Sequence, residues 1–283
     1  MKQTTKLVVT AFFACVVMSI VHAQQRAGTP ARGAASPPPQ APTYRAARTG
    51  DGRPDLNGIW QALDGANWNI EPHAADFGTV PQLGAINAVP PGVGVVDNGA
   101  IPYRRELLAQ RAENYKNRTG LDPEARCYLP GVPRAMYMPQ PFQIIQSADH
   151  IMMAFQYAGA IRTIYMKDQK PAPAPSWMGW SNGRWEGETL VIETTALDDR
   201  TWFDRAGNFH SDEMKVTERI SARSADILNY EATIDDPKTF TRVWKISLPL
   251  YRRVDRNAQI MEFKCVEFAE ELLYGHLRKQ PAK

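Results

Sequence analysis

The feature that most constrains the fold of this chain is a series of short strand-like runs separated by turn-forming residues. Within most of these runs, apolar residues alternate with polar ones. Because successive side chains point to opposite faces of a strand, this alternation predicts half-buried β-strands. The predicted strands are Gly58–Trp60, Phe142–Ser147, Ile151–Tyr157, Ile161–Met166, Thr189–Thr195, Met214–Ser221, Ile227–Ile234, Phe240–Leu248 and Ala258–Cys265. Asn182-Gly183 and Gly187 are predicted to form the turns of a tryptophan-rich hairpin.

Short strands with turns between them and few helices favour an all-β fold, an antiparallel meander that closes into a barrel or a sandwich. A barrel is the preferred form because an open sheet leaves unpaired edges. One helix is predicted over residues 102–119, and a short C-terminal helix over Val266–Tyr274. Residues 61–133 are otherwise predicted to be rich in loops, and the part from 61 to 101, which is dominated by Gly, Pro, Ala and Asn, is predicted to be a long ordered loop or lid.

The N-terminal region has the pattern of an export signal. Lys2 and Lys6 precede the apolar run Leu7–Val21, and Val21-His22-Ala23 fits a small-residue cleavage site. We therefore expect a signal peptide over residues 1–23, a periplasmic or secreted location and no membrane span in the mature protein. Residues 24–54 are rich in Pro, Ala and Gly and are expected to form a disordered spacer, which leaves residues 55–283 as a single domain.

Charge and cysteine content restrict the partners. Removal of residues 1–23 takes away two lysines and no acid, so the 33 basic residues fall to 31 against 30 acidic ones. No basic stripe is present, and nucleic acid is not an expected partner.

The two mature cysteines, Cys127 and Cys265, are predicted to form a disulfide in an oxidising compartment. They lack the spacing of a zinc motif, and no dinucleotide or P-loop glycine pattern occurs, so no cofactor is predicted.

Four segments together resemble a group of secreted bacterial proteins of unassigned function. They are Gly58-Ile59-Trp60, the run Gly183-Arg184-Trp185-Glu186-Gly187-Glu188-Thr189-Leu190-Val191, Thr217-Glu218-Arg219 and Thr233-Ile234-Asp235-Asp236-Pro237. The likeness covers most of residues 54–268. Such proteins look broadly similar to lipocalin-like barrels, in which a Gly-x-Trp on the first strand plugs the closed end. The resemblance implies a fold and a compartment, and no catalytic residues.

The strand alternation also points to two inward charges. Leu228, Tyr230, Ala232 and Ile234 share one face of their strand. In the two neighbouring strands, Glu218 and Arg242 each share a face with the apolar residues of their strand. If these faces turn inward, both charges enter the barrel. Unpaired burial of a charge costs several kcal/mol. We therefore expect the two to form an ion pair, to contact a ligand, or to lie where water enters.

A second concentration of chemistry is the loop Leu197–Met214. His210 lies there near several carboxylates, and an imidazole beside a carboxylate is the minimum for acid–base catalysis near neutral pH. The candidate catalytic residues are His210, Asp204 and Glu218. Ordinary turn formation by the same residues is the competing interpretation. No metal is predicted, because the spacing matches neither an EF-hand nor a zinc motif.

Several aromatic residues near this loop suit the wall of a pocket for an apolar or aromatic ligand. The candidate ligand-binding residues are Arg242, Trp180, Trp185, Trp202, Tyr230 and Trp244. The sequence favours an exported β-barrel that binds a small apolar or aromatic molecule in an internal pocket. The alternatives are a cofactor-independent lyase, isomerase or hydrolase, and a structural or envelope-interaction protein without a cavity.

Overall fold

The computed structural model describes residues 44–78 and 80–278. The predicted signal peptide and the predicted spacer up to residue 43 lie outside the described residues. The rest of that spacer, 44–54, is among the described residues. Its backbone forms a tight turn in which Gly52 donates to the carbonyl of Thr49 at 2.9 Å, and the side chain of Arg48 pairs with Glu188 on the barrel.

The fold is an all-β closed barrel of nine strands that follow one another in chain order around the wall. Pairing of β1 with β9 closes it, with Trp60 opposite Arg252 and Gln61 opposite Tyr251. The strands are β1 Gly58–Gln61, β2 Phe142–Gln146, β3 His150–Phe155, β4 Ile161–Tyr165, β5 Trp180–Glu186, β6 Thr189–Thr195, β7 Lys215–Ala222, β8 Ile227–Asp235 and β9 Trp244–Arg252. The prediction of a β-barrel is confirmed.

The alternation that predicted the strands also decides what fills the barrel. Along β8, Leu228, Tyr230, Ala232 and Ile234 are buried and the residues between them are not. On β7 the buried positions are Val216, Glu218 and Ile220, so the carboxylate of Glu218 faces the core as predicted. Because every second side chain of a strand points to the same face, the inward faces of β7 and β8 contain both apolar core residues and the carboxylate of Glu218.

One pair of strands departs from the predicted antiparallel meander. β4 and β5 run parallel, with Ile164 opposite Ser181 and Tyr165 opposite Asn182. Gly183 lies inside β5, so the predicted turn at Asn182-Gly183 is wrong. A Cβ at Gly183 would lie 2.6 Å from Ile164 Cγ2 and from Met166 Sδ. Close packing against β4 explains this glycine, whereas Gly187 does form the predicted turn, with φ of 60°.

The helices begin later than predicted. Pro102 and Tyr103 pair with the segment around Phe240, where Thr241 donates to the carbonyl of Pro102 at 2.8 Å, so this part of the predicted helix is extended. Helix α1 spans Leu108–Lys116, α2 spans Arg118–Leu121 and α3 spans Ala269–Arg278. The predicted strand Ala258–Cys265 has no regular structure. None of the helices among the described residues combines the length and apolar composition needed to cross a bilayer.

The connections differ sharply between the two ends of the barrel. At one end, hairpins such as Gly187-Glu188 join consecutive strands. At the other end, which we call the loop end, lie the long connections 62–141, 196–214 and 236–243. Antiparallel neighbours place alternate connections at the same end of a sheet, and the parallel pair β4–β5, whose connection 166–179 runs from one end to the other, shifts that alternation by one strand. Long irregular segments therefore gather over one mouth of the barrel.

A disulfide between Cys127 and Cys265 confirms the predicted bond. It links the loop region before β2 to the segment that follows β9, and its closed loop spans 138 residues. Phe268 adds a backbone hydrogen bond to the carbonyl of Ala125 at 2.8 Å. The C-terminal segment is therefore held to the loop end by a covalent bond close to α3.

Replacement of both cysteines by serine is expected to lower the free energy of unfolding by about 5 kcal/mol, because the disulfide restricts a long loop in the unfolded chain. Urea denaturation of the double variant checks this, with the wild-type protein under reductant as the matched comparison. An unfolding midpoint that is the same with and without reductant would contradict the prediction.

Candidate functional site

His210 is buried in the loop before β7 and both of its ring nitrogens are occupied. Nδ1 lies 2.8 Å from the carbonyl of Ser211 and Nε2 lies 2.6 Å from Thr201 Oγ1. Burial lowers the pKa of His210, which favours the neutral ring, with Nδ1–H donating to the carbonyl and Nε2 accepting from the hydroxyl. The ring also packs edge-on against Phe203. The imidazole therefore anchors its own loop.

Asp204 is fully buried and does not pair with His210. Its carboxylate accepts hydrogen bonds from the backbone nitrogens of Ile70, Ala206 and Asn208 and from the Asn208 side chain, at 2.6–3.2 Å. Burial raises the pKa of Asp204 to about 6, against the effect of these donors. The bond to Ile70 at 2.9 Å ties this loop to the loop after β1. Asp204 therefore positions two loops at the loop end.

Glu218 forms a buried ion pair with Arg162 of β4. The guanidinium contacts both carboxylate oxygens, and the side chains of Arg162 and Glu218 are 1% and 0% exposed. Arg162 also donates to Ser181 Oγ at 2.9 Å and to Thr194 Oγ1 at 2.7 Å, and Tyr230 donates its hydroxyl to Glu218 at 2.9 Å. This cluster joins five strands inside the barrel and satisfies both charges.

The predicted inward orientation of Arg242 is wrong. Arg242 is exposed and precedes β9, which begins at Trp244, so it does not share the inward face of that strand. The partner of Glu218 comes instead from β4. Arg162 lies between Ile161 and Thr163, and its inward position places the compensating charge across the barrel.

The predicted aromatic residues lie in several different places. Trp180 stacks on Tyr165 with ring centroids 4.5 Å apart. Trp202 and Trp244 are buried in the core, and Tyr230 belongs to the Glu218 cluster. Trp185 lines a cleft of about 500 Å³ together with Arg53, Lys167 and Arg184, among other residues. The structure does not bring these aromatic residues together around one space.

A cavity of about 580 Å³ lies at the loop end, outside the barrel wall. Its lining comes from the connection between β1 and β2 with its helices α1 and α2, from the connection between β3 and β4, from the loop before β7 and from the C-terminal segment, with no strand residue among the described lining. Five aromatic side chains take part, and we refer to the space as the aromatic cleft: Trp68, Tyr115, Tyr157, Phe263 and Phe268. Its volume lies within the range usual for small-molecule sites.

A network of charges forms one side of the aromatic cleft. Glu124 accepts from Arg205 Nε and Arg134 Nη2 at 2.7 Å each and from Asn67 Nδ2 at 3.2 Å. Arg134 also pairs with Asp122 at 2.8 Å. Arg205 pairs in addition with Glu270 and lies 4.5 Å from the Trp68 ring centroid. The network therefore fixes Trp68 against the loop that carries Arg205.

Further contacts hold the loop after β1, which contributes several residues to the lining. Both ring nitrogens of His73 face backbone carbonyls, that of Glu71 at 2.8 Å and that of Pro90 at 3.0 Å. Tyr115 donates its hydroxyl to Asp76 at 3.1 Å, which links this loop to α1. The residues that line the aromatic cleft are thus held from several directions.

None of the nine predicted catalytic and ligand-binding residues lines the aromatic cleft. Trp68 is the tryptophan that pattern reasoning passed over, because no strand or motif surrounds it. One signal pointed to it: the length and composition of residues 61–101 predicted an ordered loop of functional type. That loop supplies Trp68, His73 and Asp76 to the lining.

Comparison with known proteins does not name a function. No protein-family model matches the chain, and no curated protein matches it at the required significance. The resemblance to secreted bacterial proteins stays a prediction. Among residues 44–78 and 80–278, no three His, Cys, Asp or Glu side chains lie close enough to hold a metal ion. The geometry of the aromatic cleft is therefore the main guide to the function of this protein.

Loss of one partner of the barrel ion pair is expected to be costly. Arg162→Met should lower the free energy of unfolding by about 3–5 kcal/mol, because Glu218 is then buried without a counter-charge. When Glu218→Met is added to Arg162→Met, the further loss of stability should be much smaller than the first, because no charge is then left buried without a partner. Urea unfolding of the single and double variants measures the two losses. The matched control is Lys245→Met, which breaks an exposed pair with Glu231 and should change stability by less than about 1 kcal/mol. Equal effects of Arg162→Met and Lys245→Met would contradict the assignment.

Stability is expected to depend on the charge of Glu124. Arg205 and Arg134 lower the pKa of Glu124 from 4.5 to about 2, despite the opposing effect of burial. A depressed carboxylate pKa stabilises the folded state above the unfolded-state pKa, and this contribution is lost as pH falls toward the folded-state value. At pH 7 the free energy of unfolding of the wild-type protein should therefore exceed that of Glu124→Gln by about 3 kcal/mol. This difference should become smaller below a pH of about 4.5. Urea unfolding across this pH range measures it, with exposed Glu262→Gln as control. A difference independent of pH would refute the prediction.

Proposed function

We propose that this is an exported protein that binds a small aromatic or other apolar molecule in the aromatic cleft. One observation carries the proposal: five aromatic side chains line a single half-enclosed space of about 580 Å³. Aromatic rings offer a large apolar contact area and defined stacking geometry, and such walls are typical of small-molecule sites. The site differs from the predicted internal pocket, because it lies over the mouth of the barrel.

The interior of the barrel supports this placement. Arg162, Glu218 and Tyr230 satisfy one another and are buried among apolar side chains of the core. The alternative of acid–base catalysis by His210, Asp204 and Glu218 has less support. Each of these groups is buried and is bonded to other partners, as described above, and none lines the aromatic cleft.

Export is supported by two features. The basic and apolar segments at the start of the chain have the order of a signal peptide. The bond between Cys127 and Cys265 suits an oxidising compartment, since such bonds are rare where thiols are kept reduced.

Indole is a suitable probe of the aromatic cleft, because it is planar, neutral and small enough to enter. Its dissociation constant is expected to be about 0.1–1 mM, as suits a ligand of its size. Trp68→Ala should weaken binding about 3- to 10-fold through loss of an aromatic contact. Isothermal titration calorimetry on the full chain measures both values.

The control is Trp177→Ala. Like Trp68, Trp177 is half-buried and has an arginine guanidinium 4.5 Å from its ring centroid, but it lies outside the aromatic cleft. Binding by this variant should match wild type. Failure of indole and of other neutral aromatic probes to bind wild type, or equal loss in the two variants, would refute the proposed function.

A further inference from the structure

We propose that the aromatic cleft selects aromatic amines that carry a positive charge over aromatic acids. This inference rests on the proposed function and adds the charge of the ligand to it. Two features carry it: the acidic side chains of the lining outnumber the cationic ones, and one carboxylate of the lining lacks a cationic partner among the described residues.

The cationic side chains of the lining already have contacts within the protein. Arg118, Arg205 and Lys264 are the lysine and arginine residues in the described lining. Arg205 bridges Glu124 and Glu270. Arg118 donates to the backbone carbonyl of Tyr115 at 2.8 Å and lies over the ring of that residue, and Lys264 pairs with Glu262 at 3.3 Å. Arg205 and Lys264 are therefore already paired with carboxylates, which weakens their attraction for the carboxylate of a ligand.

The acidic side chains of the lining are more numerous. They are Asp76, Asp122, Glu124, Glu270 and Glu271. Asp122 and Glu124 pair with Arg134 and Arg205. Five carboxylates line the aromatic cleft against three cationic groups, and Arg134, which pairs with two of those carboxylates from outside the lining, adds a fourth, so one negative charge is in excess. This excess favours a cation in the aromatic cleft and disfavours an anion.

Asp76 is the carboxylate best placed to contact a cation. It is exposed, and its side chain accepts hydrogen bonds from two neutral donors, Tyr115 Oη at 3.1 Å and the backbone nitrogen of Phe77 at 2.7 Å. No arginine or lysine of the described residues pairs with it. Its backbone is held by hydrogen bonds to Val89 at 2.9 and 3.1 Å. An ammonium group that enters here would therefore meet a carboxylate that has no cationic partner among the described residues.

Three probes with the same ring system test the inference on the full-length protein. They are tryptamine, which is cationic at pH 7, neutral indole, and indole-3-acetate, which is anionic. Calorimetric titration at low salt should show tryptamine binding about 10-fold more tightly than indole-3-acetate, with indole between them. Added salt should narrow the difference, because the contact at Asp76 is exposed and screened.

Asp76→Asn keeps the shape of the side chain and removes its charge. It should weaken tryptamine about 3- to 5-fold and leave indole unchanged. Asp199→Asn is the matched control, since Asp199 is also exposed but lies outside the aromatic cleft. This variant should bind all three probes as wild type does.

The outcomes separate the two levels of the proposal. Equal affinity for tryptamine and indole-3-acetate overturns the charge preference while indole binding upholds the site. Tighter binding of indole-3-acetate also overturns the charge preference. An Asp76→Asn variant that retains full preference for tryptamine overturns the assignment of that preference to Asp76. If none of the three probes binds, the proposed function fails and the charge preference fails with it.

Discussion

The ion pair between Arg162 and Glu218 decides how the inside of this barrel is used. Two charges that are both withdrawn from water require close mutual contact and further hydrogen bonds, which Ser181, Thr194 and Tyr230 supply. The five residues come from β4, β5, β6, β7 and β8, so the cluster ties more than half of the wall together. Space that many ligand-binding barrels keep for a ligand is occupied here by side chains. The barrel thus serves as a scaffold.

The scaffold leaves its loop end as the place where a site can form. Long connections there have little regular structure, and their order depends on other interactions. Buried charges provide much of it: Glu124 holds Arg134, Arg205 and Asn67 together, and Asp204 ties its loop to the loop that carries Trp68. The disulfide adds the C-terminal segment. Because polar groups in a buried environment must be paired, these contacts fix loop positions that backbone hydrogen bonds alone would leave free.

Prediction from the sequence succeeded where a periodic pattern reports burial directly. The alternation of Leu228, Tyr230, Ala232 and Ile234 located β8, and the same logic placed Glu218 inside the barrel. The prediction failed for Arg242, because β9 begins at Trp244, two residues after Arg242, whereas the predicted strand began at Phe240. The alternation of apolar and polar residues does not show where a strand starts. The prediction also failed for Gly183, because a glycine required by a close neighbour looks in sequence like a glycine required by a turn.

The sequence by itself determined an all-β barrel, most of its strands, the inward carboxylate of Glu218 and the pairing of Cys127 with Cys265. These follow from local periodicity and from a count of two cysteines, which need no knowledge of distant neighbours. Only the tertiary structure decided that Arg162 is the partner of Glu218 and that Trp68, Tyr115, Tyr157, Phe263 and Phe268 surround one cavity. Those residues lie far apart in the chain and mostly in aperiodic loops. What brings them together is the order of the strands and the compensation of buried charge, neither of which a local pattern records.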